Sequence, residues 1–379
     1  MGGRRGHNEG SIYKTKKGLW AAAIDFGYEN GKRKRRVLYA KTRAEVARKL
    51  NDALKLRQED RPLPSDRQTF AQYLNVWLEG MRSSVRDRTA VLYAGLIRLY
   101  IPERLGRSPL TKVTPADLQA LYTERLDSGL SPARVRCLHA VLHRALDQAE
   151  RWGLVPRNVA ALTEPPRIPP RSMKTLSPEE AQHLLAAAAG DRLEALYVLA
   201  LTTGMREGEL LALSWQDVNL DTGLAQVRGS LGRIRHEGLR IEETKTGKAR
   251  SVALSRTAIA ALRRHRALQN EERLHLGETW EDRDLVFPNN RGRPMEAGNL
   301  RRREFPALLE RAAVPRIRFH DLRHTAATLL LGEGVHPKLV SEMLGHANIA
   351  MTLDLYSHVT PGMHRQAATV MDAVLSVGG

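Results

Sequence analysis

The sequence predicts a multidomain protein, mainly α with small β-sheets. Its three parts are a basic three-stranded sheet plus a helix, a helical bundle, and a larger mixed α/β domain. Three observations carry that reading. A chain of 379 residues is too long for one core. Two proline-bearing stretches, 58–67 with Pro62 and Pro64 and 163–174 with Pro165, Pro166, Pro169 and Pro170, cannot be helix interior or central strand. The apolar spacing also changes across them, from alternation to helical periodicity and then to a mixture. The resulting boundaries are 1–60, 66–162 and 172–379.

In the first part, Ser11–Thr15 and Gly18–Phe26 alternate around Trp20, Ala22 and Ile24. Glu29-Asn30-Gly31-Lys32 supplies an Asn-Gly hairpin turn. Lys32–Tyr39 returns as a third strand, made intensely basic by Lys32, Arg33, Lys34, Arg35 and Arg36. Thr42 then caps a helix through Arg57, with Glu45 in capping-box position. A small basic sheet of this kind can lie in a DNA major groove; the plainer reading is a solvated charged hairpin. The second part reads as about four helices. Helical spacing links Phe70, Tyr73, Leu74, Trp77 and Leu78, then Leu92, Leu96, Leu99 and Tyr100, then Leu118, Leu121 and Leu126, then Val135, Leu138, Leu142, Leu146 and Ala149. Pro115 and Pro132 follow Thr114 and Ser131 as first-turn prolines after caps. The third part opens on Ser177-Pro178-Glu179-Glu180 and is helical apart from β-like segments near 215–254.

Charge narrows the class of partner. Lys+Arg number 60 against 42 Asp+Glu, a net charge of +18, and such an excess favours a polyanion because each neutralised phosphate releases counterions. Residues 1–60 hold 16 Lys+Arg against 7 Asp+Glu, half of that excess in a sixth of the chain. The single cysteine, Cys137, falls in an apolar helical pattern and excludes internal disulfides and Cys-rich zinc sites. No stretch approaches a membrane span of about 20 apolar residues, and the first residues have no signal-peptide pattern. A cytoplasmic, nucleoid-associated protein of a bacterial cell is expected.

Five segments of the last part carry candidate chemistry. In Thr203-Gly204-Met205-Arg206-Glu207-Gly208-Glu209, Arg206 and Glu209 are three apart and share a helix face. A carboxylate there can fix a guanidinium while its other donors point at a phosphate; a surface ion pair is the plainer reading. Glu243-Thr244-Lys245-Thr246-Gly247-Lys248 sits between β-like stretches and reads as a hairpin turn with Lys245 at its tip. It is not a nucleotide-binding loop, since Glu242 stands where the first glycine would be. In Arg318-Phe319-His320-Asp321-Leu322-Arg323-His324-Thr325, His320 and Arg323 are again three apart. Leu344-Gly345-His346 ends a helix begun after Pro337, and Thr352-Leu353-Asp354-Leu355-Tyr356 lies ten residues beyond His346.

Taken in this order and spacing, the segments resemble the tyrosine recombinase (phage integrase) family. Its signature is Arg, a hairpin Lys, His-x-x-Arg, His or Trp, and Tyr. Arg206, Lys245, His320, Arg323, His346 and Tyr356 match it without a gap across residues 172–379. The resemblance implies a mixed α/β catalytic domain, with the bundle as a core-binding domain and residues 1–60 as an arm-type DNA-binding domain. Two guanidiniums suit the non-bridging oxygens of a phosphodiester under attack, so Arg206 and Arg323 take that role and His346 adds a hydrogen bond. Tyr356 is the nucleophile, His320 the candidate base and Lys245 the acid for the departing 5′-oxygen; Glu209 fixes Arg206 from behind.

A 3′-phosphotyrosyl link would conserve the bond energy, so neither ATP nor a metal or other cofactor is expected. Joining two duplexes takes four cleavages. That implies a homotetramer on double-stranded DNA core and arm sites, with Arg365–Val377 as a tail helix docking on a neighbour. A DNA-bending host factor and an excisionase are further candidate partners. The other readings are a type IB topoisomerase, against which the separate basic amino-terminal part and the tail helix argue, and a DNA-binding regulator with a relic catalytic fold, against which six intact residues argue.

Overall fold

The structure, a computed structural model, describes residues 11–16, 18–29, 32–58, 67–169, 173–234, 238–243, 249–345, 348–350, 352–353, 372 and 375. At 25–29, 32–34, 36, 56–58, 233–234 and 243 it describes the backbone alone. The chain divides into two compact units, 1–170 and 171–379. It is mainly α with small antiparallel sheets, the predicted fold class. Among the described residues no helix is long and apolar enough to cross a membrane.

The first unit opens with β1 (Ser11–Lys14), β2 (Trp20–Glu29) and β3 (Lys32–Ala40), an antiparallel sheet in that order. Glu29 pairs with Lys32, the register a two-residue turn requires; Asn30 and Gly31 themselves lie outside the described residues. Helix α1 (Arg43–Gln58) starts where Thr42 Oγ1 accepts the Glu45 N–H at 3.2 Å. Its Val46, Leu50 and Ala53 cover Ala22 and Ile24 of the sheet in a small apolar cluster.

The bundle follows as α2 (Phe70–Met81), α3 (Asp87–Tyr100), the short α4 (Glu103–Arg107), α5 (Pro115–Asp127) and α6 (Pro132–Arg151). Thr69 and Thr114 cap α2 and α5 through reciprocal bonds with Gln72 and Asp117, whereas the Ser131 side chain makes no capping bond to α6. The expected core positions of α2, α5 and α6 are packed together, with Leu126 only partly buried and Cys137 packed against the cluster's edge. Helix α3 departs from expectation. Leu92 and Leu99 are exposed while Tyr93, Leu96 and Ile97 face the core. Both stripes contain Leu96 and both have helical spacing, so periodicity could not separate them. Tyr93 decides, because it stacks on Trp77 with ring centroids 6.1 Å apart, and an aromatic pair outweighs an exposed leucine.

In the second unit, α7 (Pro178–Ala188) begins at a Ser177–Glu180 capping box. Helix α8 (Glu194–Thr203) is buried from Ala195 to Leu201, which marks a helix at the centre of a core. After α9 (Glu207–Leu211) come β4 (Val218–Asn219), β5 (Leu224–Val227), β6 (Gly229–Ile234), β7 (Gly238–Glu243) and β8 (Arg250–Ala253). Helices α10 (Arg256–Leu276), α11 (Ala297–Asn299), α12 (Phe305–Arg311), α13 (Asp321–Gly332) and α14 (Pro337–Leu344) complete the described elements, with a π-helical turn Leu300–Glu304 before α12. One apolar cluster joins α8, β5, β8, α10, α12 and α13.

The β-segments of this unit pair as two antiparallel sheets. β5 pairs with β8 and β6 with β7, whose register runs up to Ile234 facing Gly238; residues 235–237 lie outside the described residues. Val227 faces Arg250 and Gly229 faces Glu243. Two steps along 227–229 therefore face seven along 243–250; the turn expected at 243–248 with Lys245 lies, apart from the backbone of Glu243, outside the described residues.

Candidate active site

The site forms where α8 hands over to α9. Helix α8 ends on Gly204 in the left-handed region, φ 59°, and a Cβ there would stand 2.3 Å from Leu344 Cδ2, so only glycine fits. The chain then turns through Met205 into Arg206, the N-cap of α9. Glu209 sits three residues on and reaches back. Its Oε2 accepts the Arg206 backbone N–H at 2.9 Å, and its Oε1 accepts Arg206 Nη1 at 2.8 Å. Arg206 Nη2 donates to the Gly345 carbonyl at 3.0 Å. The Arg206 side chain stays 38% exposed while that of Glu209 is 2% exposed, so the carboxylate anchors from inside and the guanidinium faces out.

A second arginine, not recognised from the sequence, completes the clasp. Arg250 Nη1 and Nη2 donate to Glu209 Oε1 and Oε2 at 3.0 and 2.6 Å, and its Nε donates to the Met343 carbonyl at 3.2 Å. Burial alone would push the Glu209 carboxyl up. The hydrogen bonds and charge of Arg250, with those of Arg206, outweigh it and hold the group below the usual carboxylate range. Arg250 was legible in principle: alternation along β8 puts it in phase with buried Val252 and Leu254, and a charge at an inward strand position needs a partner.

Arg323, in the first turn of α13, is buried at 3% exposure. Its Nη1 donates to the Gly204 carbonyl at 2.7 Å, while Nη2 is buried and has no hydrogen-bond partner among the described residues. Such a donor is costly unless something fills it. Burial, then the charge of Arg206, pulls Arg323 down to about 9, against the pull of Glu209, which leaves it protonated at neutral pH. His320, one residue before α13, is exposed, with its ring edge-on to His324 at 5.1 Å. Partial desolvation, then the positive surroundings of His324 and Arg323, lower it to about 4, so it is neutral at pH 7. Asp321 anchors this turn, accepting the Arg318 N–H at 2.8 Å and Arg318 Nη2 at 2.7 Å.

Arg206, Glu209 and Arg323 are thus brought to one floor, joined through the backbone of Gly204 and Gly345. Lys245, His346 and Tyr356 lie outside the described residues. Their neighbours do not: β8 starts at Arg250, and Gly345, bonded to Arg206, directly precedes His346. Of the basic strand, Arg35 is exposed; the side chains of Lys32, Arg33, Lys34 and Arg36 lie outside the described residues, as does the tail 365–377 apart from residues 372 and 375.

Comparison with known proteins adds the following. Residues 174–363 match the model of the phage integrase family, and residues 69–126 match that of a phage integrase N-terminal SAM-like domain. The chain is 30% identical to a tyrosine recombinase XerC-like protein of Caldanaerobacter subterraneus subsp. tengcongensis, over 91% of this chain and 93% of the relative. It is 29% identical to an integrase of Streptomyces ambofaciens, over 100% of this chain and 99% of the relative. A structure of the Tn1549 transposon integrase in complex with a circular intermediate DNA shares the fold, with a TM-score of 0.69 at 23% identity, covering 79% of this chain and 99% of that one.

The clasp yields a stability prediction. Glu209→Gln keeps the shape but leaves two guanidiniums without their counter-charge, and breaking a buried pair from one side costs about 3–5 kcal/mol. With Arg206 partly in water, the lower end is expected in urea unfolding at pH 7. Because the folded-state pKa of Glu209 is depressed, its contribution is complete above the unfolded value of about 4.3 and fades as pH falls through the folded one. The gap between wild type and variant should therefore be flat from about pH 6 to 8 and close only in acid. No gap at pH 7 would show that the carboxylate does not hold these arginines.

Proposed function

The chain belongs to the phage integrase family, and we propose that it breaks and rejoins DNA at attachment sites through Tyr356. It is a tyrosine-type site-specific recombinase. The observation that carries the mechanism is the unspent Nη2 donor of buried Arg323, on the same floor as the outward-facing guanidinium of Arg206. Two guanidinium forks, both charged at neutral pH, suit the non-bridging oxygens of a phosphodiester, whose charge grows as it becomes pentavalent. Preorganised donors of this kind are each worth about 10²–10³ in rate.

Tyr356 Oη attacks phosphorus and the bond to the 5′-oxygen breaks. His320 takes the tyrosyl proton, Lys245 gives one to the departing 5′-oxygen, and His346 donates to a non-bridging oxygen. His320 is neutral at pH 7, as a base must be, but at about 4 it is a weak one. Burial depresses it first and the neighbouring positive charge second; a bound phosphate offsets that second part and raises its basicity where the proton moves. The product holds a 3′-phosphotyrosyl bond and a free 5′-hydroxyl. Attack by a 5′-hydroxyl of a second duplex reverses the step with no change in bond count, so no external energy source enters.

DNA is the partner. Around it we place a homotetramer, since exchange between two duplexes needs four such cleavages, joined through the tail helix 365–377. A DNA-bending host factor and an excisionase set the direction of exchange. Residues 66–162 grip the core site, residues 172–379 carry the chemistry, and residues 1–60, with Lys32 to Arg36, grip arm sites. The chain works in the bacterial cytoplasm, on the nucleoid.

Three measurements test this reading. Tyr356→Phe should bind DNA as wild type does yet form no covalent adduct on a nicked suicide substrate; an adduct surviving denaturing electrophoresis moves the nucleophile elsewhere. Lys245→Ala should slow cleavage of ordinary DNA strongly, and far less when sulfur replaces the 5′-bridging oxygen, because a thiolate leaves without an acid. Equal slowing on both substrates removes Lys245 from that role. Deleting residues 1–60 should spare cleavage of a short core site, abolish arm-dependent recombination and flatten the salt dependence of binding to long DNA. Normal recombination of full-length sites by the truncated protein would reject the three-domain assignment.

A further inference from the structure

We propose that Arg250 is a positioning residue for strand cleavage, holding Arg206 through Glu209 while tying the strand that follows Lys245 to the turn that precedes His346. The inference rests on the recombinase reading above. Arg250 has a side chain 15% exposed, against 38% for Arg206. Its bonds run inward to protein acceptors, two to Glu209 and one to Met343. It is therefore badly placed to grip DNA itself and well placed to fix what does.

Glu209 Oε1 receives Nη1 of both arginines, and Oε2 receives Arg250 Nη2 together with the Arg206 backbone N–H. A carboxylate clamped on one side by a planar fork cannot swing, so the Arg206 fork on its other side is aimed. The same guanidinium supports the end of α14. Gly345 lies so close that a Cβ there would stand 3.0 Å from Arg250 Cδ and Nε, and the Gly345 carbonyl is the second anchor of Arg206. Arg250 thus reaches Arg206 by two routes, one through a carboxylate and one through backbone. In the chain both routes end close to assigned groups, because Lys245 comes five residues before Arg250 and His346 follows Gly345.

A plain counter-ion for Glu209 would need charge alone, which Lys supplies. Positioning needs the fork, because one ammonium cannot hold two carboxylate oxygens and a carbonyl in a plane. The test uses the full chain with Arg250→Lys, and single-turnover adduct formation on a nicked substrate carrying either a phosphate or a neutral methylphosphonate at the scissile position. We expect DNA affinity and thermal midpoint near wild type. Cleavage at the phosphate should slow by about 10²-fold, the scale of an ångström misplacement. On the methylphosphonate the loss should shrink to under about 3-fold, because a neutral centre asks less of Arg206. Combined with Arg206→Ala, Arg250→Lys should add little further loss, as groups acting through one another are non-additive.

Wild-type rates in Arg250→Lys, equal slowing on both substrates, or fully additive losses would each overturn the inference while leaving the recombinase reading intact. A wild-type protein that forms no adduct overturns that reading and this inference with it. If Arg250→Lys unfolds, the pair Arg250→Met with Glu209→Leu, which removes the buried charge from both partners, replaces it. The same two-substrate comparison then decides, with equal slowing again the overturning result.

Discussion

Ionised carboxylates are expensive to take out of water, and Glu209 is among the least exposed charged groups of the second unit. Its burial is tolerable only because donors converge on it from the backbone of Arg206 and from two guanidiniums. That requirement works in reverse as well. Once the carboxylate is fixed by the core around α8 and α9, every arginine that satisfies it is fixed too, and the reactive surface inherits the rigidity of the interior. A flexible guanidinium on water-exposed backbone would have to be ordered at each encounter with a phosphate, at the expense of conformational entropy. Here most of that ordering is done by folding.

The end of α14 contributes in a second way. The last carbonyls of a helix lack intrahelical partners and carry its negative pole. Met343 and Gly345 place two such carbonyls on Arg250 and Arg206, which satisfies orphan acceptors and stabilises cations at once. Gly345 makes this possible, since its left-handed turn, φ 67°, brings backbone against a side chain where a Cβ would clash. Gly204 does the same for Arg323 at the end of α8. Two glycine-terminated helices, remote in sequence, thus present carbonyls to the arginines of one site.

What the sequence made legible follows from how local each signal is. The Arg206–Glu209 pair spans four residues and the capping boxes of α2, α5 and α7 are equally short, so spacing revealed them. The role of Arg250 depends on Glu209, forty-one positions earlier, and on Met343, ninety-three later. In the chain it reads as one more basic residue after Lys245 and Lys248. The inward stripe of α3 was missed because the choice between two equally periodic faces lies with Trp77 on another helix. The π-helical turn at Leu300–Glu304 has no signature of its own, since one extra residue in a helix leaves the apolar spacing nearly unchanged.

The five-residue jump in register between Val227–Arg250 and Gly229–Glu243 has an evolutionary reading. On either side of it the ribbon is held independently, β5 and β8 by the main core and β6 by packing against α9. Residues can be inserted or deleted between those two ladders without slipping either one. Doubling such a connection costs only about 0.6 kcal/mol in closure entropy. Lineages of this family are therefore free to vary the span of that connection while the arginine floor stays constant. Divergence in length should collect there, and change in that connection becomes separable from the inheritance of the fold.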